Sequence, residues 1–320
     1  MRVRTLSVYF MKDLKDTNGS LYPILERVKQ DHTLMLAIRE NYINIYYRGG
    51  NILKINEQGK NVYQAYFDDQ YNKSGRTMPD LPTTINCQAD AKIWVDGFSR
   101  LKEMMDIYFA RYGKSEREFQ QLVARENNNS TISNESEYFV ADIEFTDPGN
   151  ARFDMLAIRW DASQRKDGSG CQAALIEMKY GDGALDGKAG LLKHIQDIDA
   201  VISDDDKRES LLEIMKLQFN QLDELGLLNF NRGVSKAKVK LVGNKPEVIF
   251  ILANHNPRSK KLCLALDDPE FAVYDQNGRY DLRFFVSSFS GYGLHSDCML
   301  TLTEFRELLK TKSDKNEFRK

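Results

Sequence analysis

Short runs of β-forming residues alternate with turn-forming residues near the start of the chain. Gly49-Gly50-Asn51 separates two of these runs, which is a hairpin signal. The pattern predicts an antiparallel meander preceded by a short helix at Leu21–Lys29. An irregular segment with Pro79 and Pro82 follows, so we place a small β-rich domain at residues 1–95. The predicted strands are Leu34–Arg39, Ile43–Tyr47, Ile52–Ile55 and Val62–Phe67.

Apolar residues then recur at three- and four-residue spacing, which is typical of helices. Two helices are predicted, at Phe98–Tyr112 and Ser115–Glu126. Ser115 is a suitable N-cap, and Glu118 would complete a capping box with it. These helices open the second predicted domain, residues 96–320.

Three β-rich runs follow the helices: Tyr138–Phe145, Ala151–Trp160 and Gln172–Tyr180. The turn signal at 147–150 and the hydrophilic stretch 161–170 join them, and such short connections favour antiparallel neighbours. Together with the helices, this pattern predicts an α/β (α+β) fold. Later predicted helices are Lys188–Ile202, Arg208–Leu225 and Thr303–Lys310, and later predicted strands are Val248–Asn254, Leu282–Ser287 and Cys298–Leu302.

Composition narrows the class of protein without naming a function. The 320 residues are 42% hydrophobic and 29% charged, as in an ordinary globular protein. The net charge of −2 argues against a protein that coats nucleic acid non-specifically, so any contact with a polyanion must use a local basic patch.

The spacing of the cysteines and the length of the apolar runs indicate the cellular compartment of the protein. The four cysteines lie far apart without a CxxC pair, which favours free thiols in a reducing cytoplasm. The four histidines also lack metal-ligand spacing. The longest strongly apolar run, Val248–Ala253, is too short to cross a bilayer. We therefore expect a cytoplasmic protein with no membrane partner.

The candidate chemistry lies on the second and third strands of the predicted second domain. Glu177 and Lys179 are two residues apart, so on a strand they share one face. Asp154 is a lone carboxylate in an otherwise apolar run and needs a partner. If the two strands form an antiparallel hairpin, Asp154 lies near Glu177, and two carboxylates converge beside one lysine.

Two carboxylates and a lysine suit the hydrolysis of a phosphodiester. Mg²⁺ prefers oxygen ligands and is often held by one or two carboxylates together with substrate phosphate. The metal ion would polarise a phosphoryl oxygen and lower the pKa of a bound water. A lysine beside it can orient that water or stabilise developing negative charge.

The chain here resembles the PD-(D/E)XK nuclease superfamily, over roughly residues 114–255 and in the order helix, three strands, helix, strand. Asp154, Glu177 and Lys179 occupy the motif positions, although Phe153 stands where the name of the motif has proline. The resemblance implies a restriction-endonuclease-like core with a mixed sheet flanked by helices. It also implies a Mg²⁺-dependent nuclease, with Mn²⁺ as a possible substitute, that cleaves nucleic acid, DNA more often than RNA.

Other residues are weaker candidates for the same site. Members of the superfamily often add a glutamate from the first core helix, for which Glu118 is the candidate and Glu126 its rival. Glu144 on the first strand is another candidate, although it and Asp142 could simply form a solvated strand face. On the helix after the third strand, Lys188, His194 and Gln196 could bind substrate or motif residues, or could be ordinary surface residues.

Alternative interpretations remain open at this stage. Glu177 and Lys179 could form a surface ion pair of little energetic weight. The chain could also be a catalytically inactive relative that binds nucleic acid or protein. In the first domain, Arg39, Lys54, Lys60 and the run Tyr46-Tyr47-Arg48 could form an aromatic and basic surface for nucleic acid, or could be cross-strand packing.

Overall fold

The structure, a computed structural model, combines helices with two sheets and divides into two compact units. The N-terminal unit comprises Arg2–Thr131 and Leu217–Asn229, and the C-terminal unit comprises Ile132–Lys216 and Phe230–Lys320. The boundary predicted after residue 95 falls inside a helix of the N-terminal unit. The described residues are 4–146, 152–187, 190–232, 238–243, 245–255, 260–275, 277–287, 296 and 299–317. The predicted turn at 147–150 and the start of the predicted strand at Cys298 lie outside them.

The N-terminal unit contains an antiparallel sheet whose strands follow one another in sequence order. They are β1 (Leu34–Ile38), β2 (Tyr42–Tyr47), β3 (Gly50–Gly59), β4 (Val62–Tyr66) and β5 (Thr84–Ile85). Its helices are α1 (Val8–Lys15), α2 (Tyr22–Gln30), α3 (Gln88–Phe109) and α4 (Ser115–Asn129). The predicted meander is confirmed, but α1, β5 and the first part of α3 were not predicted. The start of α3 escaped notice because its cap is Cys87 paired with Asp90, an unusual capping box.

The β2–β3 hairpin is confirmed, although its turn lies one residue earlier than the sequence suggests. Tyr47 pairs with Gly50, so Arg48 and Gly49 form the two-residue loop. Both have positive φ, 49° and 72°, which is typical of a type I′ turn. A Cβ on Gly49 would lie 2.6 Å from the backbone of Arg117, so no larger residue fits there without movement.

The C-terminal unit is built on a mixed five-stranded sheet in the order β10-β9-β8-β7-β6. The strands β6 (Tyr138–Thr146), β7 (Arg152–Arg159) and β8 (Gln172–Tyr180) are antiparallel, as predicted. The strands β9 (Glu247–Ala253) and β10 (Asp281–Ser287) continue the sheet in parallel with β8. Every residue of β9 is buried, which explains its apolar run from Val248 to Ala253.

Helices pack on this sheet through a shared apolar core. Ile195, Phe250 and Phe284 belong to this core, together with residues from every helix of the unit. Phe284 stacks on Phe250 and on Phe305 with ring centroids 5.7 and 5.2 Å apart. The helices are α5 (Leu191–Ile202), α6 (Asp205–Glu224), α7 (Lys261–Leu266), α8 (Pro269–Ala272) and α9 (Leu302–Glu317), and α6 passes into the N-terminal unit at Leu217.

The described residues also show the state of three cysteines and the character of the helices. Cys87, Cys171 and Cys263 are free thiols, and Cys298 lies outside the described part of the chain. In that part, every helix is too short or too polar to cross a membrane.

Asp31 joins three elements of the N-terminal unit through its carboxylate. It follows α2 and accepts hydrogen bonds from Lys102 of α3 at 2.5 Å and from Arg27 of α2 at 2.9 Å. It also accepts from the Thr33 hydroxyl, just before β1, at 2.6 Å. Burial raises the pKa of Asp31, but the hydrogen bonds from Lys102 and Thr33 outweigh it and lower this pKa to about 2. The carboxylate is therefore more acidic in the folded chain than in the unfolded chain.

We expect Lys102→Met to lower the free energy of unfolding by about 2 kcal/mol at pH 7, since it removes a charged hydrogen-bond donor. A lowered carboxylate pKa stabilises the fold above the unfolded value of 3.8 and ceases to do so as the pH falls towards 2. The difference between variant and wild type should therefore shrink over that range in urea titrations. Lys92→Met, on an exposed position of α3, is the control. If the difference in the free energy of unfolding between Lys102→Met and the wild type were the same at pH 7 and pH 3, the role given to Asp31 would be contradicted.

Candidate active site

Glu177 and Lys179 lie near the end of β8 and contact each other directly. The Lys179 ammonium donates to Glu177 Oε1 at 3.0 Å. Their side chains are only 2% and 4% exposed. The interpretation of this pair as a solvated surface ion pair is therefore wrong, because both charges are removed from water and depend on each other.

Asp154 lies beside this pair on β7. The β7–β8 ladder pairs Met155 with Ile176, and the same register carried one residue further sets Asp154 opposite Glu177. Asp154 Oδ2 accepts a hydrogen bond of 2.8 Å from the backbone N–H of Met178, the residue between Glu177 and Lys179. The antiparallel hairpin on which the prediction depended is thus present, and it brings the three motif residues to one place.

His194 of α5 completes what we call the Glu177 cluster: Asp154, Glu177, Lys179 and His194. Its Nδ1 lies 2.7 Å from Glu177 Oε1, and its side chain is 21% exposed. The sequence marked His194 only as one of three polar residues on this helix. The sequence spacing could have indicated its position. His194 lies beside the buried residues Leu191 and Ile195, so its ring is at the edge of the helix face that packs on the sheet.

The Glu177 carboxylate is held as an anion in a buried position. Burial raises its pKa, but the hydrogen bond from His194 and the charge of Lys179 outweigh burial and lower the pKa below its usual value. Both partners bind Oε1, whereas Oε2 is buried and has no hydrogen-bond partner among the residues that the structure describes. A buried, unpaired carboxylate oxygen is costly, so this atom is suited to a cation or to a donor on a bound molecule.

Glu144 lies next in the same row of the sheet. Ile143 pairs with Met155 and Phe145 with Phe153, so Glu144 occupies the position across from Asp154. Its φ of 52° follows an irregularity in the strand, and Oε2 accepts from Arg152 at 3.1 Å. Asp142 is fully buried and accepts from the backbone N–H of Ile143. The two acidic residues therefore do not form a solvated strand face.

Glu118 belongs to the N-terminal unit and is engaged there. Lys114, not Ser115, is the N-cap of α4, and no side chain caps this helix end, so the predicted capping box is wrong. The carboxylate instead binds Arg48, with Nε to Oε1 at 2.8 Å and Nη2 to Oε2 at 3.2 Å. Its rival Glu126 lies on the same helix and lines a cavity of that unit.

The two residues predicted to bind substrate have different outcomes. Lys188 lies outside the described residues. Gln196 is partly exposed and lies two residues beyond His194, about 200° further around the helix. Among the described residues, it makes no hydrogen bond with the Glu177 cluster.

A second polar pair, which the sequence did not suggest, lies where β8 and β9 end. Gly181 N–H donates to the carbonyl of Ala253 at 2.8 Å, which keeps the two chains together beyond the strands. His255 Nδ1 then lies 3.0 Å from Asp182 Oδ1, and its side chain is 5% exposed. Ligands often bind at the carboxyl ends of parallel strands. Polar residues just after β8 and β9 could therefore have indicated this pair from the sequence.

The aromatic and basic residues of the N-terminal sheet are largely paired with each other or with acids. Arg48 binds Asp106 as well as Glu118, and the Tyr47 hydroxyl also donates to Asp106. The Lys54 ammonium lies 4.2 Å from the ring centre of Tyr42 and 5.4 Å from that of Tyr66, on neighbouring strands. For these residues, cross-strand and helix packing accounts for the pattern.

No model of a protein family, curated protein or solved structure matches the chain. The chemistry of the site must therefore be inferred from its residues and their geometry.

We expect strong energetic coupling between Glu177 and Lys179. Glu177→Leu should destabilise the protein by about 3–5 kcal/mol, because the buried Lys179 loses its counterion. Adding Lys179→Met to this variant should restore much of the loss, giving a coupling energy of about 2 kcal/mol or more in a double-mutant cycle measured by urea unfolding.

The exposed pair Lys193–Asp197 on α5 is the matched control, with side chains 51% and 37% exposed. Its coupling should be about 0.5 kcal/mol or less. Equal coupling in the two cycles would show that burial does not strengthen the Glu177–Lys179 pair.

Proposed function

We propose that the protein is a metal-dependent nuclease that hydrolyses phosphodiester bonds in nucleic acid, with DNA as the first substrate to test. The observation that carries the proposal is Glu177 Oε2, a buried oxygen of an anionic carboxylate that has no partner in the described part of the chain, beside Asp154 and Lys179. An acidic pair next to a lysine suits phosphodiester hydrolysis, because the carboxylates can hold Mg²⁺ and the lysine can stabilise developing negative charge.

The order of elements around the site supports the resemblance to the PD-(D/E)XK superfamily. The helix α4 precedes three antiparallel strands, and α5 and α6 precede β9, which joins the sheet parallel to β8. The motif residues lie on the neighbouring strands β7 and β8, and His194 of α5 contacts Glu177.

Asp154 and Glu177 are the residues that would hold Mg²⁺, or Mn²⁺ in its place. Among the described residues, no group of three or more His, Cys, Asp or Glu side chains could hold a metal ion. A pair of carboxylates nevertheless fits Mg²⁺, which usually keeps several waters and takes its remaining ligands from substrate phosphate. When bound, the metal would act as a Lewis acid on the phosphoryl group and make a bound water more acidic.

Lys179 and His194 have distinct roles in this proposal. The Lys179 ammonium, held 3.0 Å from Glu177, would donate to the attacking water or to a phosphate oxygen and stabilise the negative charge that develops there. His194 would act as a positioning residue, because its contact with Oε1 fixes the carboxylate with Oε2 directed away from Lys179 and His194.

We expect the wild-type protein to cleave labelled DNA or RNA in the presence of Mg²⁺ or Mn²⁺, and to lose this activity with EDTA. Lys179→Ala and Asp154→Asn should each reduce cleavage roughly a hundredfold or more, since each removes charge at the reacting phosphate. Lys193→Ala is the matched control, because it removes an exposed lysine from α5. A panel of single- and double-stranded substrates, read on gels, makes the measurement and identifies the nucleic acid.

Two outcomes would contradict this expectation in different ways. Cleavage that persists in Lys179→Ala would assign the activity to another site or to a contaminant. Binding of nucleic acid by the wild type without cleavage under any metal condition would favour a catalytically inactive relative that serves as a binding module.

Metal binding can be tested without any substrate. We expect Mn²⁺ to bind the wild type in calorimetry and not to bind Asp154→Asn, because one of the two ligands is then neutral. His194→Gln should weaken Mn²⁺ binding about tenfold, which is typical for the loss of a residue that supports a metal ligand. Asp197→Asn, on an exposed position of α5, should bind as tightly as the wild type. Binding of equal strength in Asp154→Asn would place the metal elsewhere.

A further inference from the structure

The N-terminal unit contains a cavity of about 240 Å³ that the proposed nuclease chemistry does not use. Residues of α2, β1 and α4 and the segment 222–227 line it. All of these residues belong to the N-terminal unit. The cavity is large enough for a small aromatic or aliphatic molecule, although it is smaller than a typical drug-sized site.

Part of the cavity wall is apolar. Leu34 and Leu36 of β1 contribute to it, together with Leu222 and Leu227. These four side chains are at most 8% exposed, so they form a fixed surface and not a mobile one. An apolar group placed against them would be removed from water, which favours binding.

Arg125 of α4 is the cation in this wall. Within the described part of the chain, its guanidinium makes no hydrogen bond and no ion pair. Burial lowers its pKa, partly offset by the charges of Glu126 and Asp31. Two other arginines of the unit are paired, Arg27 with Asp31 and Arg48 with Glu118.

The nearby acids leave Arg125 without a counterion. Asp31 is already bound by Arg27 and Lys102. Glu126 also lines the cavity, but its carboxylate is not within ion-pair distance of Arg125. Arg125 is partly buried and its fork of N–H donors is unused among the described residues, so an anion that enters the cavity can supply the acceptors.

We propose that this cavity binds a small organic anion, whose carboxylate or phosphate accepts from Arg125 and whose apolar part lies against the leucines. The planar guanidinium matches both anionic groups, since each can accept two parallel hydrogen bonds. The Glu126 carboxylate lies in the same wall and would repel further negative charge, so it favours a ligand with a single localised charge over one with several. The proposal is independent of the nuclease activity, because it concerns a different unit and different residues.

The test uses four probes that share a benzene ring and differ in charge: benzoate, phenyl phosphate, benzyl alcohol and benzylamine. Calorimetry on the full chain should show binding of benzoate or phenyl phosphate, and at least tenfold weaker binding of the neutral and cationic probes. Which of the two anions binds more tightly identifies the anionic group. Arg125→Gln should weaken anion binding at least tenfold, and Arg125→Lys should weaken it less, since it keeps the charge but loses the fork. Arg111→Gln, an exposed position of the same unit, is the control for the change of charge.

The proposal would be overturned if neither anion bound at millimolar concentration. Preferential binding of benzylamine would also overturn it, because Glu126 would then be the residue that recognises the ligand. Anion binding that is unchanged in Arg125→Gln would also overturn it. If Arg125→Gln does not fold, crystals of the wild type soaked with 4-bromobenzoate decide the question. Anomalous signal from bromine in the cavity, with the carboxylate on Arg125, would support the proposal, and signal elsewhere alone would refute it.

Discussion

The buried carboxylate of Glu177 sets the conditions that the rest of the candidate site must meet. An ionised carboxylate that is 2% exposed is stable only with close cationic and hydrogen-bonding partners, and Lys179 and His194 supply them. This requirement orients the side chains of Glu177 and Lys179 on β8 and holds α5 against the sheet at His194. Asp154 is fixed separately, by the backbone N–H of Met178. Two carboxylates are therefore held in place before any ligand arrives.

The two units pair their charged side chains differently. In the N-terminal unit, Arg48 binds Asp106 and Glu118 and so joins the β2–β3 loop to α3 and α4. Asp31 binds Arg27 and Lys102 and so joins the end of α2 to α3. In the Glu177 cluster, two donors share one oxygen, and the other oxygen has no partner among the described residues. The first arrangement joins elements of its own unit and is structural. The second leaves a buried carboxylate oxygen unpaired within the described residues, which is expected where a ligand supplies the missing partner.

The secondary structure of the sheets was largely predictable, because each strand has a compact run of β-forming residues bounded by turn signals. The hairpin at Arg48–Gly49 and the antiparallel order of β6, β7 and β8 followed from turn chemistry and short connections. The start of α3 and the cap of α4 did not follow. Cys87 is a rare helix cap, and Glu118 binds Arg48, a residue remote in the sequence, in preference to its local backbone.

The sequence by itself determined which strands carry Asp154, Glu177 and Lys179, and that the last two share a face, because side chains alternate along a strand. It could not determine whether the pair was buried, since burial depends on what packs above the sheet. Only the tertiary structure placed His194 on Glu177 Oε1, brought Asp182 to His255, and set Arg125 in the wall of a cavity. Each of these contacts joins segments that are separate in sequence, and their partners are chosen by the packing of whole helices and strands and not by local spacing.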